Sequence, residues 1–141
     1  MTAKRRAQLV TTQRQMLRKI VQTPRLQLAD GCIKPWVDWI QRSTRIAERQ
    51  AKLNGVVSWT ILQKRNYWKW AGHIARCEDD RWTHALLNWI PHGNRRVGHP
   101  RKRWSDDVNE FCSNMYSSPW QLLAQSREAW AAECANFSNH H

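Results

Sequence analysis

The chain has 141 residues and a formal net charge of +12, from 23 Lys+Arg against 11 Asp+Glu. That length suits one domain able to bury roughly two-thirds of its surface. No apolar run approaches the ~20 residues that cross a bilayer, and Cys32, Cys77, Cys112 and Cys134 are too scattered to form a Cys-x-x-Cys pair, so the sequence reads as neither a membrane span nor a disulfide framework. The charge is uneven: residues 1–104 hold 22 Lys+Arg against 6 Asp+Glu, and residues 105–141 hold 1 against 5. A basic body beside an acidic end fits a polyanion-binding surface next to a packing module. Ten tryptophans are expected mostly in the core, with a few free to stack on bases.

The elements follow in order. Residues 3–22 read as a helix whose apolar side is Leu9, Val10, Met16, Leu17, Ile20 and Val21, ended by Thr23-Pro24. No acid or capping residue makes residue 3 a good helix start, so the chain is expected to begin partway through something larger. Residues 25–34 read as a loop. A second helix starts with Pro35 in its first turn and ends at Gly55 as the C′ residue. It sets Trp36, Ile40, Thr44, Ala47 and Ala51 opposite a cationic stripe of Arg42, Arg45, Arg49 and Lys52. That stripe is either a solvated face helped by a Glu48–Lys52 pair or a phosphate contact, and the second reading is preferred.

Ser58 is the expected N-cap of a third helix, 59–76, with Tyr67, Trp70, Ala71 and Ile74 on its apolar side. Trp59, Trp68 and Trp70 are expected to pin it to the other helices. Gly72 costs about 1 kcal/mol against alanine in a helix, which predicts a neighbour packed closely against it. A short fourth helix over 80–90 presents Trp82, Leu86 and Trp89. A fifth over 101–116 presents Trp104, Val108, Phe111 and Met115, and a sixth over 119–137 presents Trp120, Leu123, Trp130, Cys134 and Phe137. Ser118 and Gln121 form a capping box for the sixth, with Pro119 at its first position. The expected fold is all-α, about six helices in a small bundle with a basic extended segment between helices four and five. The expected domains are 1–90, a basic helical body; 91–103, a basic Gly/Pro-containing linker; and 104–141, an acidic helical pair.

No catalytic centre is apparent. Asp79-Asp80 and Asp106-Asp107 sit at predicted helix starts, where they suit the dipole better than a two-metal hairpin, and no phosphate loop or hydrolase motif occurs. His73 and Cys77 lie one turn apart, which is half a metal site; His84, His92, His99, Cys112 and Cys134 show none of the tight pairing of zinc ligands. No metal, cofactor or small-molecule substrate is expected. The linker carries Arg95, Arg96, Arg101, Lys102 and Arg103 around Gly98-His99-Pro100. A minor-groove hook would have arginine where His99 stands, so the segment reads as a phosphate track or a nuclear import signal. The candidate nucleic-acid contacts are these five and the stripe Arg42, Arg45, Arg49 and Lys52.

Several stretches resemble the region beyond the polymerase palm in reverse transcriptases of non-LTR (LINE-like) retrotransposons. They are Thr11–Ile20; Trp36–Ile40 with Thr44-Arg45; and Trp68-Lys69-Trp70-Ala71-Gly72-His73-Ile74-Ala75-Arg76, similar to a Trp-x-Gly-His-x-x-Arg stretch. Gly98, Pro100, Arg103 and Trp104 match a Gly-Arg-Pro-x-x-Arg-Trp run. Ala124–Trp130 resembles Ala-x-Asp-Arg-x-x-Trp, with Ser126 in place of the acid. The resemblance implies a thumb and tail fragment of an endonuclease/reverse transcriptase polyprotein that would be an RNA-directed DNA polymerase, with the catalytic domains elsewhere. It implies RNA or DNA as partner, the polymerase palm as a second partner, and a nuclear or nucleocytoplasmic location. The competing expectations are a helical protein-interaction module or a non-functional remnant of the element.

Overall fold

Leu9, Gln13, Leu17 and Val21 recur every four residues and form the half-buried side of α1 (Ala3–Val21). A computed structural model describes residues 3–29, 31–77, 82, 85, 103–116 and 118–140. Among these the protein is all-α, as expected. The helices bounded within the described residues are α1, α2 (Trp36–Leu53), α3 (Trp59–Ala75), α4 (Asp106–Tyr116), α5 (Trp120–Gln125), α6 (Arg127–Ala132) and α7 (Cys134–Asn139). The chain divides into two compact units, Met1–Gln63 and Lys64–His141, so the dividing point lies within α3.

In the first unit α1 packs against α2. Arg14 Nε meets Glu48 Oε1 at 2.7 Å, Arg18 Nη1 donates to Thr44 Oγ1 at 2.9 Å, and Trp39 Nε1 donates to the Thr23 carbonyl at 2.8 Å. Rising numbers on one helix meet falling numbers on the other, so the two run antiparallel. The seam is largely polar, and only Ser43 and Ala47 are buried on α2. Met16 and Ile20, expected on the inner side, are 48% and 75% exposed. They lie off the four-residue row, which Gln13 completes instead, with Arg18 half-buried beside Leu17.

Gln13 also fixes the start of α3. Its amide oxygen accepts from the Trp59 N–H at 3.0 Å and its amide nitrogen donates to the Val57 carbonyl at 3.2 Å. A side chain of α1 thereby satisfies one of the donors a helix start leaves open. The expected cap at Ser58 is present only in part: its carbonyl accepts from Leu62, while its hydroxyl pairs with that of Thr60. Helix α2 ends as expected. Gly55 has φ of +67°, Gly55 N–H donates to the Lys52 carbonyl and Val56 N–H to the Ala51 carbonyl, the two bonds of a Schellman motif. Helix α1 ends instead on Gln22 at φ 48°, a conformation that costs an L-residue roughly 1–2 kcal/mol. Between α1 and α2 the loop folds back through one antiparallel bridge, Gln27 to Ile33.

The second unit holds the core. Trp68, Ala71, Val108, Phe111, Cys112, Trp120, Ala124, Trp130 and Phe137 form one buried cluster, with Tyr67, Trp104, Leu123 and Cys134 packed around it. Each buried tryptophan removes 150–250 Å² from water, about 4–6 kcal/mol of transfer free energy. At its centre the Trp68 and Trp130 rings stack at 3.7 Å and 3°. The pair is reciprocal: Trp68 Nε1 donates to the Trp130 carbonyl at 2.7 Å, and Trp130 Nε1 to the Trp68 carbonyl at 2.9 Å. Gly72 makes this possible, since a Cβ there would lie 2.2 Å from Trp130 Nε1. The close neighbour that glycine predicted is the Trp130 indole. The end of α3 is clamped as well, by Arg76 Nη1 donating to the Ala124 carbonyl at 2.6 Å and Gln125 Nε2 to the Ala75 carbonyl at 3.0 Å.

Several expectations need correcting here. Helix α3 buries Trp68 and Gly72, while Trp70 is 49% exposed, because the stack on Trp130 turns that side of the helix inward. The predicted 101–116 helix starts at Asp106, with Trp104 and Ser105 in a turn, and Met115 is 58% exposed while Cys112 is buried in its stead. The predicted sixth helix is three short ones. Ser126, extended at φ −82° and ψ 107°, interrupts it and accepts from the Ala129 N–H at 3.3 Å, since a serine hydroxyl competes for backbone donors. Glu133 forms the second junction. Pro35 and Pro119 occupy the cap positions themselves, with extended backbone (ψ 144° and 134°), and neither end has a side-chain capping bond among the described residues. Of the expected fourth helix only Trp82 and Ala85 are described; both are helical and exposed. Leu86, Trp89 and the linker residues 91–102 lie outside the described residues.

Candidate nucleic-acid interface

One face of α2 turns Ser43 and Ala47 toward α1, and the opposite face carries the cations. Arg45, Arg49 and Lys52 are exposed, spaced i, i+4, i+7, or about 6 and 4.5 Å along the axis. The acid nearest them in sequence is Glu48, and Arg14 of α1 holds it at 2.7 Å. Such a half-exposed pair is worth at most about 1 kcal/mol of stability. Its larger consequence is electrostatic, because it draws Glu48 away from the Lys52 partner expected from the sequence. Among the described residues Arg45, Arg49 and Lys52 have no carboxylate partner. The antiparallel register runs the amino-terminal turns of α1, with Lys4, Arg5 and Arg6, toward this same end of α2.

Arg42 stands apart. It is half-buried and its Nη2 donates to the Pro24 carbonyl, so it holds the α1–α2 loop while the three exposed cations face solvent. Arg103 is exposed, and its main-chain N–H donates to Asp106 Oδ2 at 2.5 Å. Arg95, Arg96, Arg101 and Lys102 lie outside the described residues. The structure therefore brings three of the nine sequence-predicted contacts onto one described face. Arg14 was not legible as a contributor, since no local signal links it to Glu48, 34 residues away.

Asp106 and Asp107 occupy the first turn of α4, as helix-start residues do. Burial, and next their charges, push the Tyr67 phenol well above its ordinary range; its buried hydroxyl has no hydrogen-bond partner among the described residues. Burial, with Glu133 second, pushes the Cys112 thiol up to about 11. Cys77 Sγ lies 3.7 Å from His73 Nε2, and no third His, Cys, Asp or Glu joins them into a metal-holding group among the described residues. Among the described residues no disulfide joins Cys32, Cys77, Cys112 or Cys134. No described helix is long and apolar enough to cross a membrane.

The chain is similar to a Caenorhabditis elegans protein described as an uncharacterized transposon-derived protein. The two are 35% identical over 69 residues, which is 45% of this chain and 25% of the relative. The chain thus matches about a quarter of the length of that curated relative. No family model and no solved structure matches. A relation to transposon-derived sequence is the identification these similarities support. The motif stretches quoted above bear on it structurally: Trp68, Gly72 and Arg76 of one meet Ala124 and Trp130 of another across about fifty residues of chain or more. These two stretches therefore supply residues that build a core and a helix clamp.

Proposed function

We propose that this chain is the non-catalytic helical tail of a LINE-like retrotransposon reverse transcriptase, and that it grips RNA or DNA through backbone phosphates. The observation that carries the binding reading is the row Arg45, Arg49 and Lys52, exposed and left without a carboxylate because Arg14 holds Glu48. Cations in a row serve phosphate contact without reading sequence. The linker cations Arg95, Arg96, Arg101, Lys102 and Arg103 would extend the grip, and the location would be nuclear or nucleocytoplasmic. Polymerase and endonuclease chemistry would belong to other parts of the parent protein. Fluorescence anisotropy on labelled duplex and single strands tests the reading. The triple variant R45A/R49A/K52A should weaken binding to both while the helical circular dichroism is unchanged; unaltered affinity would remove α2 from the interface.

A second reading rests on a different observation. The first unit leaves Ile20 75%, Leu53 74%, Trp36 58%, Val37 58% and Ile33 57% exposed, more apolar surface than a free-standing helix pair benefits from showing to water. On this reading the unit docks on another protein surface, the polymerase palm of the parent protein being the natural one. A palm fragment that raises the melting temperature of this chain would favour it; no shift would oppose it.

A further inference from the structure

Trp70 sits beside the buried side of α3, and its indole is 49% exposed. It is also braced. The Trp104 ring meets it edge-on at 5.0 Å and 64°, and Trp104 in turn lies against Tyr67 at 5.9 Å and Trp120 at 6.0 Å. Trp120 is 1% exposed, so a line of aromatic contacts runs from the core out to one open ring. The more exposed Trp36 and Trp82 have no such ring contact among the described residues. Cationic residues adjoin the two rings in sequence: Lys69, exposed and directly before Trp70, and Arg103, exposed and directly before Trp104. The acids of the same quarter, Asp106 and Asp107, are half-buried at the start of α4, and Asp106 accepts from the Arg103 main chain.

We propose that Trp70 is a stacking platform for an unpaired nucleobase, with Lys69 and Arg103 holding the neighbouring phosphates. The inference rests on the nucleic-acid reading above and narrows it, at this place, to a single strand. A flat indole accepts any base, because every base presents a π face. A ring already fixed by its neighbours loses little rotamer freedom when covered, so the gain from stacking is not spent on ordering it. Cations beside the ring favour a phosphate-bearing occupant over an apolar protein segment.

The test uses the full chain with short labelled oligothymidine, oligouridine and an abasic strand of equal length. Trp70→Ala should weaken oligothymidine binding by about 5- to 150-fold, the range for losing one base–aromatic stack, and leave abasic binding unchanged. Trp70→Phe, which keeps a ring and its packing on Trp104, should retain most of the affinity. Ultraviolet cross-linking of a 5-iodouridine strand to the unaltered chain should map to Trp70, a readout independent of any variant. Oligouridine weakened in parallel with oligothymidine supports a platform indifferent to the sugar. If the abasic strand binds as well as oligothymidine, with steep salt dependence, the phosphate reading stands and the platform falls. If no strand binds at all, both fall. Strand binding untouched by Trp70→Ala, with loss of a self-associated species in sedimentation instead, would overturn the platform in favour of a protein contact.

Discussion

Gly72→Ala isolates the contact on which the second unit turns. The added methyl would sit 2.2 Å from Trp130 Nε1 and 2.5 Å from its Cδ1. Ordinary contact begins at 3.4 Å, so the indole must retreat by about 1.2 Å. It has little room, being stacked on Trp68 at 3.7 Å with Trp120 at 6.0 Å. Retreat also lengthens the 2.9 Å bond from Trp130 Nε1 to the Trp68 carbonyl and strands a buried donor, at about 1–3 kcal/mol. Overpacking adds about 1–3 kcal/mol, and the better helix propensity of alanine returns about 1 kcal/mol. The net expectation is a loss of about 3 kcal/mol, seen in urea titrations followed by far-ultraviolet circular dichroism. A Gly72→Ala protein as stable as the parent, or more so, would mean that propensity dominates and that the Trp68–Trp130 pair does not need the gap.

Other outcomes follow from single contacts. Ser126→Ala removes the bond to the Ala129 N–H and should cost about 1 kcal/mol, whereas Ser126→Asp should be close to neutral in the same titrations, since Asp caps as well as Ser. Gln22→Gly relieves a residue held at φ 48° and should raise stability by about 1 kcal/mol; a fall would mean the side chain matters more than the backbone. The Cys112 thiol, pushed up to about 11 mainly by burial, should resist alkylation in the native chain at neutral pH while exposed Cys32 reacts freely. Because the folded pKa is above the unfolded one, the unfolded chain loses that proton first, so Cys112 lowers stability as pH rises from about 9 toward 11; a Cys112→Ala variant should lose less over that window. Arg14→Ala releases Glu48 among the α2 cations and should weaken strand binding, and Arg14→Ala with Glu48→Gln should recover most of it.

The all-α class, the Gly55 ending of α2 and the inward positions Val108, Phe111, Trp120, Trp130 and Phe137 were all readable, because each is written in local spacing or in a residue with one conformational use. Gly72 was readable as a close approach, but not which group approaches it, since the partner is 58 residues away in sequence. Trp70 falls on the apolar side with Tyr67, Ala71 and Ile74, and periodicity alone could not say that stacking at Trp68 would leave it 49% exposed. The same limit applies to the cationic site. The stripe on α2 was visible from its i, i+3, i+7, i+10 spacing, yet Arg42 engages the Pro24 carbonyl and Glu48 turns to Arg14, both through contacts with distant chain.

The most direct measurement of the central claim is the slope of log K against log salt for a short duplex, with the parent chain and with R45A/R49A/K52A. If each of the three cations neutralises one phosphate, the slope should become shallower by about 2.7, at about 0.9 per contact. Identical slopes for the two proteins would show that the α2 row holds no phosphate, and the account of this face would be wrong.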